Sequence, residues 1–318
     1  MAGFRYRIEK RLGVGCNLRL LDAGITFMAR VRAAGPGVFA LRGRLLRLAA
    51  AVADAVLGRR LRIGLARSPL LHPTEIDDLG HPRMLRRLTT ARKGETSMGT
   101  EIKLTASDGH TLGAWRTGPD NATRGLVVVQ EIFGVNHHIR NMCERFAAHG
   151  FAVVAPALFD RVRPGIELGY TPEDIAEGRE LRAKVPDTGT MADIDAAARA
   201  LGGKALGIVG YCWGGTVSWW GATRTTHFKA ASCWYGGGIA ASRTEKPRCP
   251  VQMHFGEQDG SIPLSDVEAI RAAQPDVAIY VYDGAGHGFG CDERGSFNQA
   301  AYDLAQQRTL AFFDAHLT

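Results

Sequence analysis

ALGIVGYCWGG, residues 205–215, carries the pattern on which the reading of the fold turns: a short apolar run, a glycine, a cysteine between two aromatic residues, then two more glycines. An apolar run of this length fits a strand buried on both faces. The residues after Trp213 have helical character, so Cys212 falls on the turn between a strand and a helix. Gly210 and Gly214 stand at minus two and plus two from it. Small residues there permit a sharp, strained bend that lifts the central side chain clear of the sheet's C-terminal edge. The free N–H groups and dipole at the helix start then favour an anionic sulfur or an oxyanion beside it. The plainer alternative is a glycine-rich turn around a buried cysteine. Partners elsewhere in the chain have to decide between the two.

Working outward, strands and helices alternate. GLVVVQ (125–130) and FAVVAP (151–156) read as buried strands upstream of the turn. Between them, His138 to His149 carries Ile139, Met142, Cys143, Phe146 and Ala147 at helical spacing and stops at Gly150. Residues 172–185 and 189–201 are largely helical. Downstream, KAASCWY (229–235), CPVQMHFG (249–256) and VAIYVY (277–282) supply three more strands, with helices over 264–274 and 298–316. GTEIKLTASDGHTLGAW (99–115) reads as a hairpin with Asp108-Gly109 at its turn. The alternation predicts an α/β fold: a doubly wound, mostly parallel sheet with an antiparallel N-terminal hairpin at its edge.

Two later loops offer the partners that Cys212 needs. Asp259 lies in HFGEQDGSIP (254–263), just past the C-terminal end of a strand, where ligand sites of open α/β sheets gather. His287 lies in YDGAGHGFG (282–290), past the next strand, in a loop loosened by four glycines. The chain order, nucleophile then acid then histidine, suits nucleophilic acyl transfer on a sheet of this kind. Glu257 and Asp283 are rival acids, the first too close to the strand end and the second too close to the histidine. Asp259 is the expected one.

Residues 1–97 read differently. They hold 19 Lys+Arg, 17 of them Arg, against 7 Asp+Glu, a net of +12, whereas residues 98–318 hold 20 against 25, a net of −5. The overall charge of +7 therefore describes the front segment and not the part that looks catalytic. Arginines punctuate Leu- and Ala-rich patches (41–66), and no strand pattern emerges. The segment reads either as read-through upstream of a product starting at Met98, or as a basic arm for an acidic membrane surface, nucleic acid or a partner. A disordered or helical basic extension, 1–97, is expected to precede a folded domain at 98–318. Hydrophobic residues make up 45% of the chain, enough for a real core, yet no apolar stretch approaches a membrane span. Nor does the start resemble a secretory signal, so a cytoplasmic location is expected. The six cysteines show neither the spacing of a disulfide scaffold nor a CxxC pair suited to zinc. The adjacent pair His137 and His138 would not face one another on a helix, and no Glu or Cys completes a ligand set, so both read as solvated or helix-capping, and no metal is expected.

The stretches VVVQEIFGVNHHIRNMCERFAAHGFAVVAPALFDR (127–161), GYCWGG, HFGEQDGSIP and GHGFGCDERGSF (286–297) together resemble the dienelactone hydrolase (carboxymethylenebutenolidase) family of the α/β-hydrolase superfamily. The resemblance runs from about Met98 to the C-terminus. It implies a Cys212–His287–Asp259 triad that opens a lactone or ester through an acyl-enzyme, with no metal or organic cofactor. It implies for Glu131 a place near the resting thiol, whose proton it could take. The backbone N–H groups of Ile132 and Trp213 would form the oxyanion hole. One departure concerns the substrate: dienelactone-active members place an arginine shortly after the histidine, but here Cys291 sits four residues on and the first arginine is Arg294. Arg182 or Arg294 is left as a carboxylate clamp, and Trp234 and Tyr235 look like pocket walls. The partner implied is a small ester or lactone, with no nucleic acid, and the chain is expected to act as a monomer. Two other readings stay open: a broad ester or thioester hydrolase of the same fold, and a redox-responsive thiol protein without hydrolytic activity.

Overall fold

The computed structural model describes residues 17–21, 24–28 and 99–318, and the chain divides into two compact units, Met1–Arg92 and Lys93–Thr318. In the first unit, β1 (Asn17–Leu21) and β2 (Gly24–Met28) pair antiparallel, with Asn17 opposite Met28 and Leu21 opposite Gly24. This corrects the expectation of no strands before residue 98. NLRLL and GITFM are too short to show alternation, yet the β-branched and aromatic residues of the second favour an extended backbone. The Arg-rich patches of 41–66 lie outside the described residues.

The second unit is built on one eight-stranded sheet in the order β10-β9-β8-β7-β5-β6-β4-β3. The hairpin β3 (Thr100–Thr105) and β4 (Thr111–Thr117) closes one edge antiparallel. Its turn depends on Gly109 at a φ of 85°, a left-handed conformation that glycine adopts without a steric penalty. β5 (Arg124–Val129), β6 (Ala152–Pro156), β7 (Ala205–Tyr211), β8 (Ala230–Trp234), β9 (Val251–Gly256) and β10 (Ala278–Tyr282) run parallel to one another. The four from β6 to β9 are buried almost throughout, as unbroken apolar runs require.

Between and after these strands come α1 (His137–Ala148), α2 (Pro172–Lys184), α3 (Asp187–Ala200), α4 (Trp213–Arg224), α5 (Leu264–Ala273) and α6 (Gln299–His316). Side chains start three of them: Asn136 accepts from Ile139 N, Thr171 and Asp174 form a reciprocal capping box, and Asn298 accepts from Ala301 N. α4 is buried on every side from Trp213 to Thr223, which makes it the central helix behind the cysteine turn. Phe313 of α6 meets Phe146 and Phe151 edge-on at 6.4 and 6.3 Å, tying the C-terminal helix into the core.

The order of the strands places the site. From β5 the chain moves one way to β6 and then crosses back over β5 to β7, so the direction of winding reverses at β5. In open α/β sheets the crevice outside the carboxyl ends at such a reversal is where ligands bind. Glu131, Cys212, Asp259 and His287 follow β5, β7, β9 and β10 at that same edge. Among the described residues, no helix is long and apolar enough to cross a membrane.

Candidate active site

Cys212 sits between β7 and α4 with φ 54° and ψ −116°, a conformation that side chains other than glycine rarely adopt. The surroundings enforce it. A Cβ on Gly210 would lie 2.1 Å from Gly214 O, and one on Gly214 would lie 2.3 Å from Val129 O. Both are contacts that backbone cannot yield to, so the glycines at minus two and plus two are sterically required. Cys212 N donates to Trp234 O at 3.0 Å, pinning the turn to β8. Strain of this type persists only where the framework over-determines it.

From this perch the thiol meets the two loops. His287 Nε2 lies 3.2 Å from Cys212 Sγ, and His287 Nδ1 lies 2.8 Å from Asp259 Oδ2. Asp259 is buried, and its other oxygen accepts from Ser261 N at 2.8 Å and Ile262 N at 3.1 Å. A carboxylate held by two backbone donors has one oxygen left to aim, and it aims at the imidazole. Glu257 is exposed and accepts from Gly284 N at 2.9 Å, while Asp283 is exposed. Burial opposes a charge on His287, but the hydrogen bonds to Asp259 and Cys212 and their negative charge prevail, raising it to about 10.

Of the two residues expected to offer oxyanion donors, Trp213 adjoins Cys212 in the chain and Ile132 lies just past the end of β5. Trp213 is the first residue of α4, where helix N–H groups have no partner within the helix. Ile132 follows Glu131, and its backbone is fixed by α2: a Cβ on Gly178 would fall 2.1 Å from Ile132 O. Trp213 stacks on Phe159 at 5.5 Å, and the Arg182 guanidinium covers its ring at 4.7 Å. Arg182 is committed besides to Asp187 at 2.7 Å and to Val185 O at 3.0 Å.

Arg294 occupies a different position. A Cβ on Gly288, next to His287, would lie 2.3 Å from Arg294 Nη1, so the guanidinium lies against the histidine loop. The same nitrogen reaches Glu131 Oε1 at 3.5 Å, and the group sits 5.4 Å from the centre of the Phe133 ring. Glu131 is buried, with ligand-type atoms of His138 and Cys291 within 4.8 Å. Tyr235 adopts φ 37° and sets its ring edge-on to His287 at 5.3 Å.

Comparison with known proteins identifies the family of the chain. The profile of the dienelactone hydrolase family matches residues 112–317. The chain belongs to that family. A protein of Synechocystis sp. provisionally named carboxymethylenebutenolidase is 37% identical over 212 residues, 60% of this chain and 86% of its own length. One of the same provisional name from Escherichia coli is 36% identical over 229 residues, covering 65% of this chain and 83% of the relative. The crystal structure of a provisionally assigned dienelactone hydrolase from Klebsiella pneumoniae superposes with a TM-score of 0.58 at 34% identity, over 68% of this chain and all of that one. The α/β-hydrolase fold expected from the sequence is the fold observed.

Set beside the dienelactone hydrolase pattern, the structure amends three expectations. Trp234 and Tyr235 are not pocket walls. Both are fully buried, Trp234 stacking on Phe289 at 5.6 Å and Tyr235 backing the imidazole, because β8 is an interior strand of the sheet. Second, His137 is exposed as expected, but His138 is wholly buried. Third, Glu131 and Cys291 do come to it, completing the three-residue grouping that the sequence alone did not show. A signal existed: His138, Met142 and Phe146 repeat at every fourth residue, so His138 belongs to the apolar face of α1.

Proposed function

We propose that this dienelactone hydrolase family member opens a lactone or ester by covalent catalysis at Cys212, with His287 as its base and Asp259 as the acid that orients the imidazole. The contact that carries the reading is the chain Cys212 Sγ–His287 Nε2 at 3.2 Å and His287 Nδ1–Asp259 Oδ2 at 2.8 Å, built on a turn held at φ 54°. An imidazole raised to about 10 by these two partners takes the thiol's proton readily. The thiolate then attacks the carbonyl carbon, and the C=O electron pair moves to oxygen, where the N–H groups of Ile132 and Trp213 receive it. Collapse breaks the C–O bond, leaving a thioester on Cys212. The imidazolium returns its proton to the departing oxygen. Water, deprotonated by His287, attacks the thioester, the C–S bond breaks, and the acid leaves.

Glu131 and Arg294 extend the proposal to the substrate. Arg182 already serves Asp187 and Val185 O, whereas Arg294 makes one long contact to Glu131 and leans on the loop of His287. Arg294 is therefore the better clamp for a carboxylate carried by the substrate, in the place left open by Cys291. An approaching carboxylate would draw Arg294 from Glu131 and free that side chain to accept a proton.

Intact-mass measurement during turnover of an aryl ester tests the covalent step. An adduct of the acyl mass is expected on the wild type and none on Cys212→Ala. Hydrolysis at full rate by Cys212→Ala would remove the proposal.

A further inference from the structure

The grouping of Glu131, His138 and Cys291 has a chemistry beyond the proton exchange proposed for Glu131. One potential ligand atom from each side chain lies within 4.8 Å of the other two, and none of the three residues is more than 1% exposed. They come from three places: the end of β5, the start of α1 and the loop after His287. His138 Nδ1 faces Asp292 Oδ1 at 3.4 Å, and Asp292 is in turn held by Arg145 at 2.5 Å. Its other nitrogen, Nε2, is buried and has no hydrogen-bond partner.

A polar atom buried without a partner carries a desolvation cost that folding rarely leaves uncompensated. A histidine with a carboxylate on one ring nitrogen and the other nitrogen free is oriented as metal-binding histidines are. Cys291 adds a buried sulfur and Glu131 a buried carboxylate beside that imidazole, and the Arg294 guanidinium reaches Glu131 only at 3.5 Å.

We propose that Glu131, His138 and Cys291 form a binding site for a divalent cation of the zinc class. One carboxylate oxygen, one imidazole nitrogen and one sulfur are donors that zinc accepts together, whereas magnesium and calcium take oxygen. Zinc–ligand bonds of about 2.0–2.3 Å place tetrahedral ligand atoms roughly 3.3–3.8 Å apart, inside the 4.8 Å limit that holds the three atoms here. Three protein ligands leave the fourth position for water or another small ligand. Binding releases the Cys291 proton to solvent.

The test uses the full chain carrying Cys212→Ser, which removes the other cysteine–histidine–acid grouping as a competing site. Titration with Co²⁺ chloride is expected to bind one equivalent with a thiolate-to-cobalt charge-transfer band, and Zn²⁺ is expected to displace it. Adding Cys291→Ser should abolish the band, and adding His138→Gln should weaken Co²⁺ binding by at least about tenfold. Asp292→Asn, at a partly exposed position, should weaken it by about 10- to 100-fold. The proposal is overturned if the Cys212→Ser protein gives no band, if the band survives Cys291→Ser, or if Asp292→Asn leaves the affinity unchanged.

Discussion

Two histidines of this molecule lie close in the fold and face opposite electrostatic conditions. His254, in β9, is completely buried, with Nδ1 2.8 Å from the Tyr282 hydroxyl and Nε2 3.3 Å from Thr309 Oγ1. Burial, then the nearby charge of Arg308, lowers it to about 3, so it is neutral. His287 is about one-fifth exposed, and it is raised to about 10 because Asp259 and Cys212 outweigh burial. The stretch HFGEQD (254–259) contains both the neutral histidine and the carboxylate that charges the other one. Hydroxyl partners leave His254 to the effect of burial, and anionic partners overcome burial at His287.

The sharpest way to break that contrast is to remove each ring and compare. His287→Ala and Cys212→Ala are expected to lower kcat/KM on an aryl ester by about 10⁴-fold or more. His254→Gln should do the reverse, keeping kcat within a few-fold while lowering stability by about 1–3 kcal/mol for the disturbed buried hydrogen bonds. Both sets are read from steady-state kinetics and thermal melts. Equal activity losses at the two positions would erase the distinction.

Asp259→Asn comes next. It keeps the shape of the side chain but removes the charge and presents the wrong partner to His287 Nδ1. A fall in kcat of about 10³- to 10⁴-fold is expected. If Glu257 served as the acid instead, Glu257→Gln would show that loss, and Asp259→Asn would be nearly silent.

What made this much legible was local. Unbroken apolar runs located the strands to within one or two residues, because a strand buried on both faces tolerates little else. Glycines two residues either side of Cys212 were readable as an elbow, since no Cβ fits at Gly210 or Gly214. Asp259 and His287 were readable from their place after strands. Contacts made across long sequence separations were not. His138 looked like half of an exposed pair, and only the packing of α1 against the loop after β10 brings Cys291 to it. Arg294 lay beyond the expected position, and its return to the flank of Gly288 depends on the loop's path, which spacing does not encode. The strand pair at 17–28 went unread because its runs are only five residues long.

Arg294 offers a smaller effect that sharpens the contrast by asking whether the charged side of the site also reads the substrate. Arg294→Ala should lower kcat/KM for a lactone bearing a carboxylate by about 10- to 100-fold, the scale of a charge-assisted hydrogen bond. A neutral aryl ester should change by less than about threefold. Equal losses on both substrates would make Arg294 a support for the loop and not a clamp.

The gentlest probe leaves the chain intact and varies pH. The lowered value of His254 means that the unfolded chain binds a proton that the folded one refuses between about 3 and 6.5. Stability from this residue is therefore present above 6.5 and declines as pH falls through that window. The raised value of His287 acts in the opposite sense. Its contribution is complete below 6.5 and is lost as pH rises towards about 10, with the window belonging jointly to the His287–Cys212 pair. Each slope is limited to about 1.4 kcal/mol per pH unit for one proton. Urea unfolding followed across pH should then show wild type losing stability relative to His287→Gln only on the alkaline side, and relative to His254→Gln only on the acid side. Parallel curves on both sides would mean that the two rings titrate alike, and the electrostatic difference between core and site would have to be abandoned.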